Sequence, residues 1–117
     1  MGNATKAERR RAQRIVVDLS VEERTEGVLY FQRATSLSMN GVFLEHTLPH
    51  PPGTLVHLEV RLPNDPAPLC LRGEVIGSEV RQIGMAVRFL EPAEMELQRL
   101  SDFLAHAPYR VQAFASA

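Results

Sequence analysis

Apolar and polar residues alternate along several short segments of this chain, and alternation with a period of two is typical of half-buried β-strands. In the clearest segment Val56, Leu58, Val60 and Leu62 point one way, and polar residues fill the positions between them. Similar segments are separated by short stretches rich in proline, glycine and asparagine, which indicate turns. We therefore predict six strands, at residues 15–19, 28–35, 42–44, 56–62, 69–80 and 83–89.

The period changes after Pro92, where apolar residues begin to recur at spacings of three and four, as on one face of an α-helix. These residues are Met95, Leu97, Leu100, Phe103 and Leu104. Pro92 is favoured as a first helical residue, and Glu94 and Glu96 suit the positive end of the helix dipole. The pattern predicts an amphipathic helix over residues 92–106. Six strands followed by one helix predict a mainly β fold, a small antiparallel barrel with a C-terminal helix.

Composition narrows the class of protein. With 117 residues, of which 44% are hydrophobic and 23% charged, the chain suits one globular domain. Its net charge of −1 speaks against a nucleic-acid or membrane-surface binder, because both need a basic surface. The polar N-terminus has no signal-peptide pattern, and no apolar run is long enough for membrane insertion. The one cysteine, Cys70, excludes an internal disulfide, so we expect a cytoplasmic protein.

Catalytic and metal-binding motifs are not found in the sequence. The histidines do not have the spacing of a metal site, either with one another or with Cys70. The sequence also has no nucleophile motif and no glycine-rich phosphate loop. We therefore predict a protein that is not an enzyme and that carries neither a metal nor a cofactor.

Positive charge is concentrated near the N-terminus, where Arg10 and Arg14 form an Arg-x-x-x-Arg pair directly before the first predicted strand. A guanidinium offers five donors in one plane, so it fits a phosphate or the edge of a guanine and stacks on a purine. About twenty residues later, positions 36–41 read Ser-Leu-Ser-Met-Asn-Gly. Each motif is common when taken alone, since arginines occur in many basic termini and Asn-Gly is a frequent hairpin turn.

Together and in this order, the two motifs make the chain resemble the PilZ domain, the bacterial module that binds cyclic di-GMP. The family's motifs are Arg-x-x-x-Arg and (Asp/Asn)-x-Ser-x-x-Gly, and this chain departs from them at Ser36, where the family has Asp or Asn. Residues 84–89 also look like the family's Gly-x-x-Val-Arg-Phe run. The resemblance covers residues 8–106 and implies a six-stranded antiparallel PilZ-type β-barrel with a C-terminal helix. That domain would span residues 10–107, between a flexible basic arm (1–9) and a C-terminal tail (108–117).

The resemblance also implies roles for individual residues. Arg10 and Arg14 would contact phosphate and guanine. Ser38 would hydrogen-bond the ligand, and Gly41 would permit the backbone conformation of the turn. Arg9 is a further candidate, because an additional guanidinium would stack on an outer guanine; the alternative for Arg9 is a solvated side chain.

Ser36 decides between two functional interpretations. A serine hydroxyl makes one hydrogen bond at a time, so we expect it to hold the guanine edge more weakly than Asp or Asn, by roughly 10- to 100-fold in affinity. Alternatively, the hydroxyl is structural and bonds the backbone of the turn.

If binding is retained, the chain is a receptor or adaptor that relays cyclic di-GMP to a protein partner in motility, polarity or surface attachment. If binding is lost, it is a degenerate PilZ domain that acts as a ligand-independent protein–protein interaction module. In both cases we expect a monomer or homodimer with no nucleic-acid partner.

Overall fold

The protein folds into a closed β-barrel followed by one helix, in a computed structural model that describes residues 13–77 and 83–107. The elements are β1 (Ile15–Thr25), β2 (Val28–Leu37), β3 (Gly41–Glu45), β4 (Leu55–Val60), β5 (Leu69–Gly77), β6 (Gly84–Phe89) and α1 (Glu94–His106). Neighbouring strands are antiparallel, the order around the barrel is β1-β2-β3-β6-β5-β4, and β4 pairs back with β1. The predicted six-stranded antiparallel barrel with a C-terminal helix is confirmed.

Alternation places the core inside the barrel. The predicted inward residues of the fourth strand are all buried: Val56, Leu58, Val60 and Leu62. The sixth strand was predicted to begin at residue 83, but Ile83 is exposed. The reason is that β6 begins to pair with β3 only at Gly84, so Ile83 lies just before the strand.

β1 extends to Thr25, whereas the predicted strand ended at residue 19. Burial continues to alternate through the extension, where the inward residues are Val21, Glu23 and Thr25. Because the last two are polar, the hydropathy pattern did not reveal the end of the strand. The connection to β2 turns on Glu26 and Gly27, whose φ values of 51° and 79° fit the type I′ turn that is favoured in hairpins.

A buried polar cluster lies inside the barrel around the extended part of β1. Glu23 is completely buried, and its carboxylate accepts hydrogen bonds from Thr25 Oγ1 and from Gln32 Nε2, the latter at 2.9 Å. His50 Nε2 lies 2.6 Å from the same carboxylate. His50 belongs to the loop between β3 and β4, and Thr47 of that loop accepts a further hydrogen bond from Gln32 at 3.1 Å. The cluster therefore fastens the β3–β4 loop to the interior of the barrel.

α1 begins at Glu94 rather than at Pro92, because Ala93 is the N-cap residue and has an extended backbone with ψ of 149°. The predicted apolar face is correct in its centre, where Leu100 is fully buried against the barrel. Met95, which the spacing placed on the same face, is 74% exposed.

Arg99 holds α1 against the loop before β5. Its guanidinium donates to the carbonyl oxygens of Ala67 at 2.6 Å and Pro68 at 3.0 Å, and to Asp65 Oδ2 at 3.0 Å. The hydrogen bond from Arg99 lowers the pKa of Asp65 below its ordinary value. These contacts fix α1 beside the barrel, so that Leu97 and Gln98 line a cavity with Met39 and Asn40 from the β2–β3 turn.

Candidate ligand-binding site

A surface cavity of about 190 Å³ brings together four residues that the two sequence motifs singled out: Arg14, Ser36, Ser38 and Gly41. They meet because Ile15 pairs with Leu37, which puts the residue before β1 beside the end of β2. The other two candidates, Arg9 and Arg10, lie outside the described residues. The structure thus joins the second half of the arginine motif to the serine–glycine motif across one strand pair.

Ser38 organises the turn between β2 and β3. Its backbone N–H donates to the carbonyl oxygen of Gly41 at 2.9 Å. Its side-chain Oγ accepts hydrogen bonds from the backbone N–H groups of Asn40 at 3.1 Å and Gly41 at 3.2 Å. A hydroxyl that accepts two hydrogen bonds still has its own hydrogen to donate, so Ser38 can hold the turn and donate to an anionic ligand at once.

Gly41 is required for a reason different from the expected one. It is the first residue of β3 and pairs with Arg88 of β6, so the interpretation of Asn40-Gly41 as the two central turn residues is wrong. Gly41 also does not have a positive φ, unlike Gly27, Gly53 and Gly77. A Cβ atom at Gly41 would instead lie 2.4 Å from the carbonyl oxygen of Val87. Glycine is needed here because β6 passes too close for a side chain.

Substituting Gly41 therefore tests the close approach of β3 and β6. We expect Gly41→Ala to lower the free energy of unfolding by about 1–3 kcal/mol, because a backbone oxygen cannot move aside as a side chain does. Asn40→Ala is the matched control, since its exposed side chain leaves the backbone turn intact and should cost within about 0.5 kcal/mol. Urea denaturation measures both variants. Equal stability of the two would show that the strands separate easily at this point.

Phe43 is a cavity residue that sequence reasoning missed. Its neighbours Val42 and Leu44 belong to the barrel core, yet Phe43 is only 7% exposed and lines the cavity. Gly84 on the neighbouring strand makes room for the ring, because a Cβ atom there would lie 2.5 Å from it. The available signal was the uninterrupted apolar run at 42–44, which indicates a strand that is covered on both faces.

Arg88 adds a second guanidinium to the cavity, and no site role had been assigned to it from the sequence. Its Nη2 lies 2.5 Å from Oε1 of Glu74 on β5, and both side chains remain partly exposed. Its position is predictable in retrospect, because in β6 it alternates with the inward residues Val87 and Phe89. Arg14 and Arg88 are the charged residues among the described ones that line the cavity, and the ion pair with Glu74 offsets part of the charge of Arg88.

Ser36 lies between Val16 of β1 and Phe43 of β3 in the strand register, and it is 8% exposed. Among the described residues its Oγ is buried and has no hydrogen-bond partner. The interpretation that Ser36 bonds the backbone of the turn is therefore wrong, and Ser38 has that role. A buried hydroxyl without a partner costs about 1–3 kcal/mol, so a ligand group that reaches Ser36 would relieve this cost.

The described residues form a closed barrel in which two arginines line a cavity next to a serine–glycine turn. The chain belongs to the PilZ domain family, whose model matches residues 8–106. Among curated proteins, none has a sequence that matches this chain. No helix within residues 13–77 and 83–107 has the length and apolarity needed to span a bilayer.

Three solved structures illustrate the shared fold. The PilZ domain of CeSA from a cellulose-synthesizing bacterium matches with 21% identity and a TM-score of 0.61, over 80% of this chain and 98% of that one. The Bacillus subtilis inhibitor of motility, MotI/DgrA, matches with 18% identity and a TM-score of 0.61, over 80% of this chain and 48% of that one. PlzA of Borreliella burgdorferi, solved in complex with c-di-GMP, matches with 16% identity and a TM-score of 0.52, over 90% of this chain and 56% of that one. This chain therefore aligns with about half the length of MotI/DgrA and of PlzA.

Proposed function

We propose that this protein is a cytoplasmic receptor that binds cyclic di-GMP in the cavity beside Ser38 and relays the signal to a protein partner, without catalysing a reaction. The observation that carries the proposal is the meeting of Arg14 with the Ser38–Gly41 turn in one cavity. Membership of the PilZ family supports the choice of ligand.

The cavity supplies chemistry that suits a cyclic dinucleotide. Arg14, together with Arg10 of the same motif, would grip a phosphate and the acceptor edge of a guanine through bidentate hydrogen bonds. Ser38 would donate its hydroxyl hydrogen to a phosphate oxygen while it keeps the turn in place. Phe43 would form the apolar floor on which the ligand rests.

The signal would then pass to a partner when the ligand joins the N-terminal arginines to the barrel, because such joining changes the surface that the partner contacts. We propose that this partner acts in motility, polarity or surface attachment.

Calorimetric titration of the purified chain with cyclic di-GMP, with GTP as the control ligand, tests the proposal. We expect saturable binding with a Kd in the micromolar range, which corresponds to about −8 kcal/mol. The NMR signals of Ser38 and Gly41 should shift on addition of cyclic di-GMP and remain unchanged with GTP. Absence of both heat and spectral change at roughly 300 μM ligand would contradict the proposal, because the Kd would then be near the millimolar range.

The alternative function is a ligand-independent interaction module, and the strongly exposed apolar side chains of Phe31 and Leu48 favour it. The same titration separates the two functions, since the module would bind neither cyclic di-GMP nor GTP. The exposed residues are compatible with the receptor as well, because a receptor of this kind also needs a surface for its partner.

A further inference from the structure

Among the described residues that line the cavity, no side chain is a hydrogen-bond acceptor only. Of the described residues that line it, none is Asp or Glu. The polar side chains present are two guanidinium groups, the hydroxyls of Ser36 and Ser38 and the amide of Asn40. Hydroxyl and amide groups both donate and accept hydrogen bonds. The carboxylate of Glu74 is paired with Arg88 and does not line the cavity, so the described lining lacks the kind of group that reads guanine most selectively.

Guanine and adenine differ in what they present on the edge that such a group would contact. Guanine presents two donors, N1–H and the N2 amino group. Adenine presents N1 as an acceptor. A carboxylate accepts from both guanine donors and repels adenine N1, whereas a hydroxyl can accept from guanine N1–H or donate to adenine N1. A site built to bond a particular group rejects the analogue that lacks it by about 10,000-fold, and that selectivity is lost when the reading group is replaced by one that fits both analogues.

Ser36 occupies the position where a carboxylate would distinguish guanine from adenine. Its hydroxyl is buried, has no partner among the described residues and belongs to a residue that lines the cavity. Rotation about the Cβ–Oγ bond turns the hydroxyl hydrogen without moving the oxygen, so the same side chain can offer either its hydrogen or its lone pairs. The arginines keep some preference for guanine, because they donate to both guanine O6 and N7, whereas adenine has an amino group in place of O6.

We propose that Ser36 makes this cavity a receptor for purine cyclic dinucleotides in general, with cyclic di-AMP and cyclic GMP–AMP bound within about tenfold of cyclic di-GMP. The proposal rests on the proposed function, since it concerns the same cavity. Beyond that function, the ligand class is purine cyclic dinucleotides, and Ser36 is the residue that sets how many of them the cavity accepts.

Titrations of the full chain with cyclic di-GMP, cyclic GMP–AMP and cyclic di-AMP at one ionic strength test this specificity. In the unmodified protein the Kd values should lie within about tenfold of one another. Ser36→Asp should raise the ratio of the cyclic di-AMP Kd to the cyclic di-GMP Kd to about 100 or more, by tightening one and weakening the other. Ser20→Asp is the matched control, because Ser20 is an exposed serine of β1 that does not line the cavity. It should leave all three Kd values unchanged.

Ser36→Ala provides a second test that does not place a charge in the barrel wall. Removing the hydroxyl should weaken cyclic di-GMP and cyclic di-AMP by similar factors, about 5- to 10-fold each. If the unmodified protein bound cyclic di-GMP more than about 100-fold more tightly than cyclic di-AMP, the inference would be overturned and the proposed function would remain intact. An unchanged Kd ratio in a folded Ser36→Asp variant would also overturn it. Failure of all three ligands to bind would reject the proposed function and this inference together.

Discussion

Replacing Arg14 by alanine is expected to weaken cyclic di-GMP binding by about 100-fold or more while the barrel remains folded. Arg14 lies immediately before β1, is exposed, and lines the cavity beside the Ser38–Gly41 turn. A bidentate pair of hydrogen bonds to a charged group contributes about 3–5 kcal/mol, and each 1.4 kcal/mol corresponds to a tenfold change in Kd. Loss of that pair therefore predicts an effect of about two to three and a half orders of magnitude.

The matched control is Arg24→Ala, which removes the same side chain from an exposed position in the part of β1 that pairs with the first residues of β2. Calorimetry should give the unmodified Kd for this control, and urea denaturation should give similar stability for both variants. Because the first motif contains two arginines, Arg10→Ala should weaken binding as well, even though Arg10 lies outside the described residues. If folded Arg14→Ala protein bound cyclic di-GMP as tightly as the control, Arg14 would have no place in the site.

The resemblance to the PilZ domain predicted which residues would form the site, and strand pairing explains why four of them lie around one cavity. Arg14 precedes the first strand and Ser38 follows the second, so antiparallel pairing of β1 with β2 sets them side by side. The role of Gly41 was not predictable in the same way. Its need for glycine comes from Val87, which is distant in the sequence and approaches only when the barrel closes.

The residues that sequence reasoning missed share a physical cause. Phe43 faces outward and yet is buried, because Gly84 on another strand leaves space for its ring. Glu23 is polar and yet is buried, because its hydrogen-bond partners come from β2 and from the β3–β4 loop. Burial of each side chain depends on a partner that hydropathy along one strand does not reveal. The prediction from alternation therefore covered the inward residues Ile15, Val17 and Leu19 and missed the end of β1, where Glu23 and Thr25 face inward.

Replacing Glu23 by alanine is expected to lower the free energy of unfolding by about 3–5 kcal/mol, the largest stability effect that we anticipate in this protein. The substitution removes the acceptor that Gln32 and Thr25 donate to and that lies against His50. It leaves polar groups without partners in the barrel interior and opens a space where the carboxylate was. The β3–β4 loop would also lose the contact between His50 and Glu23, so the amide hydrogens near His50 should exchange faster with solvent.

Glu22→Ala is the matched control, because Glu22 is the adjacent residue on the outer face of β1. Its partly exposed carboxylate lies 3.6 Å from Arg61, a surface ion pair worth less than about 1 kcal/mol. Urea denaturation of the two variants therefore compares the same substitution on opposite faces of one strand. A difference below about 1 kcal/mol would falsify the view that the buried cluster stabilises the barrel.

Glu23→Gln separates stability from binding. Glutamine retains the size of the side chain and one acceptor oxygen, so the barrel should fold with a smaller loss than in Glu23→Ala. Glu23 lies seven positions along β1 from Val16, the partner of Ser36, which is about 23 Å in an extended strand. Sites this far apart with no shared partners act independently, so the Kd for cyclic di-GMP should stay within about twofold of the unmodified value. A larger change in Kd would mean that the polar cluster and the cavity are coupled through the barrel wall.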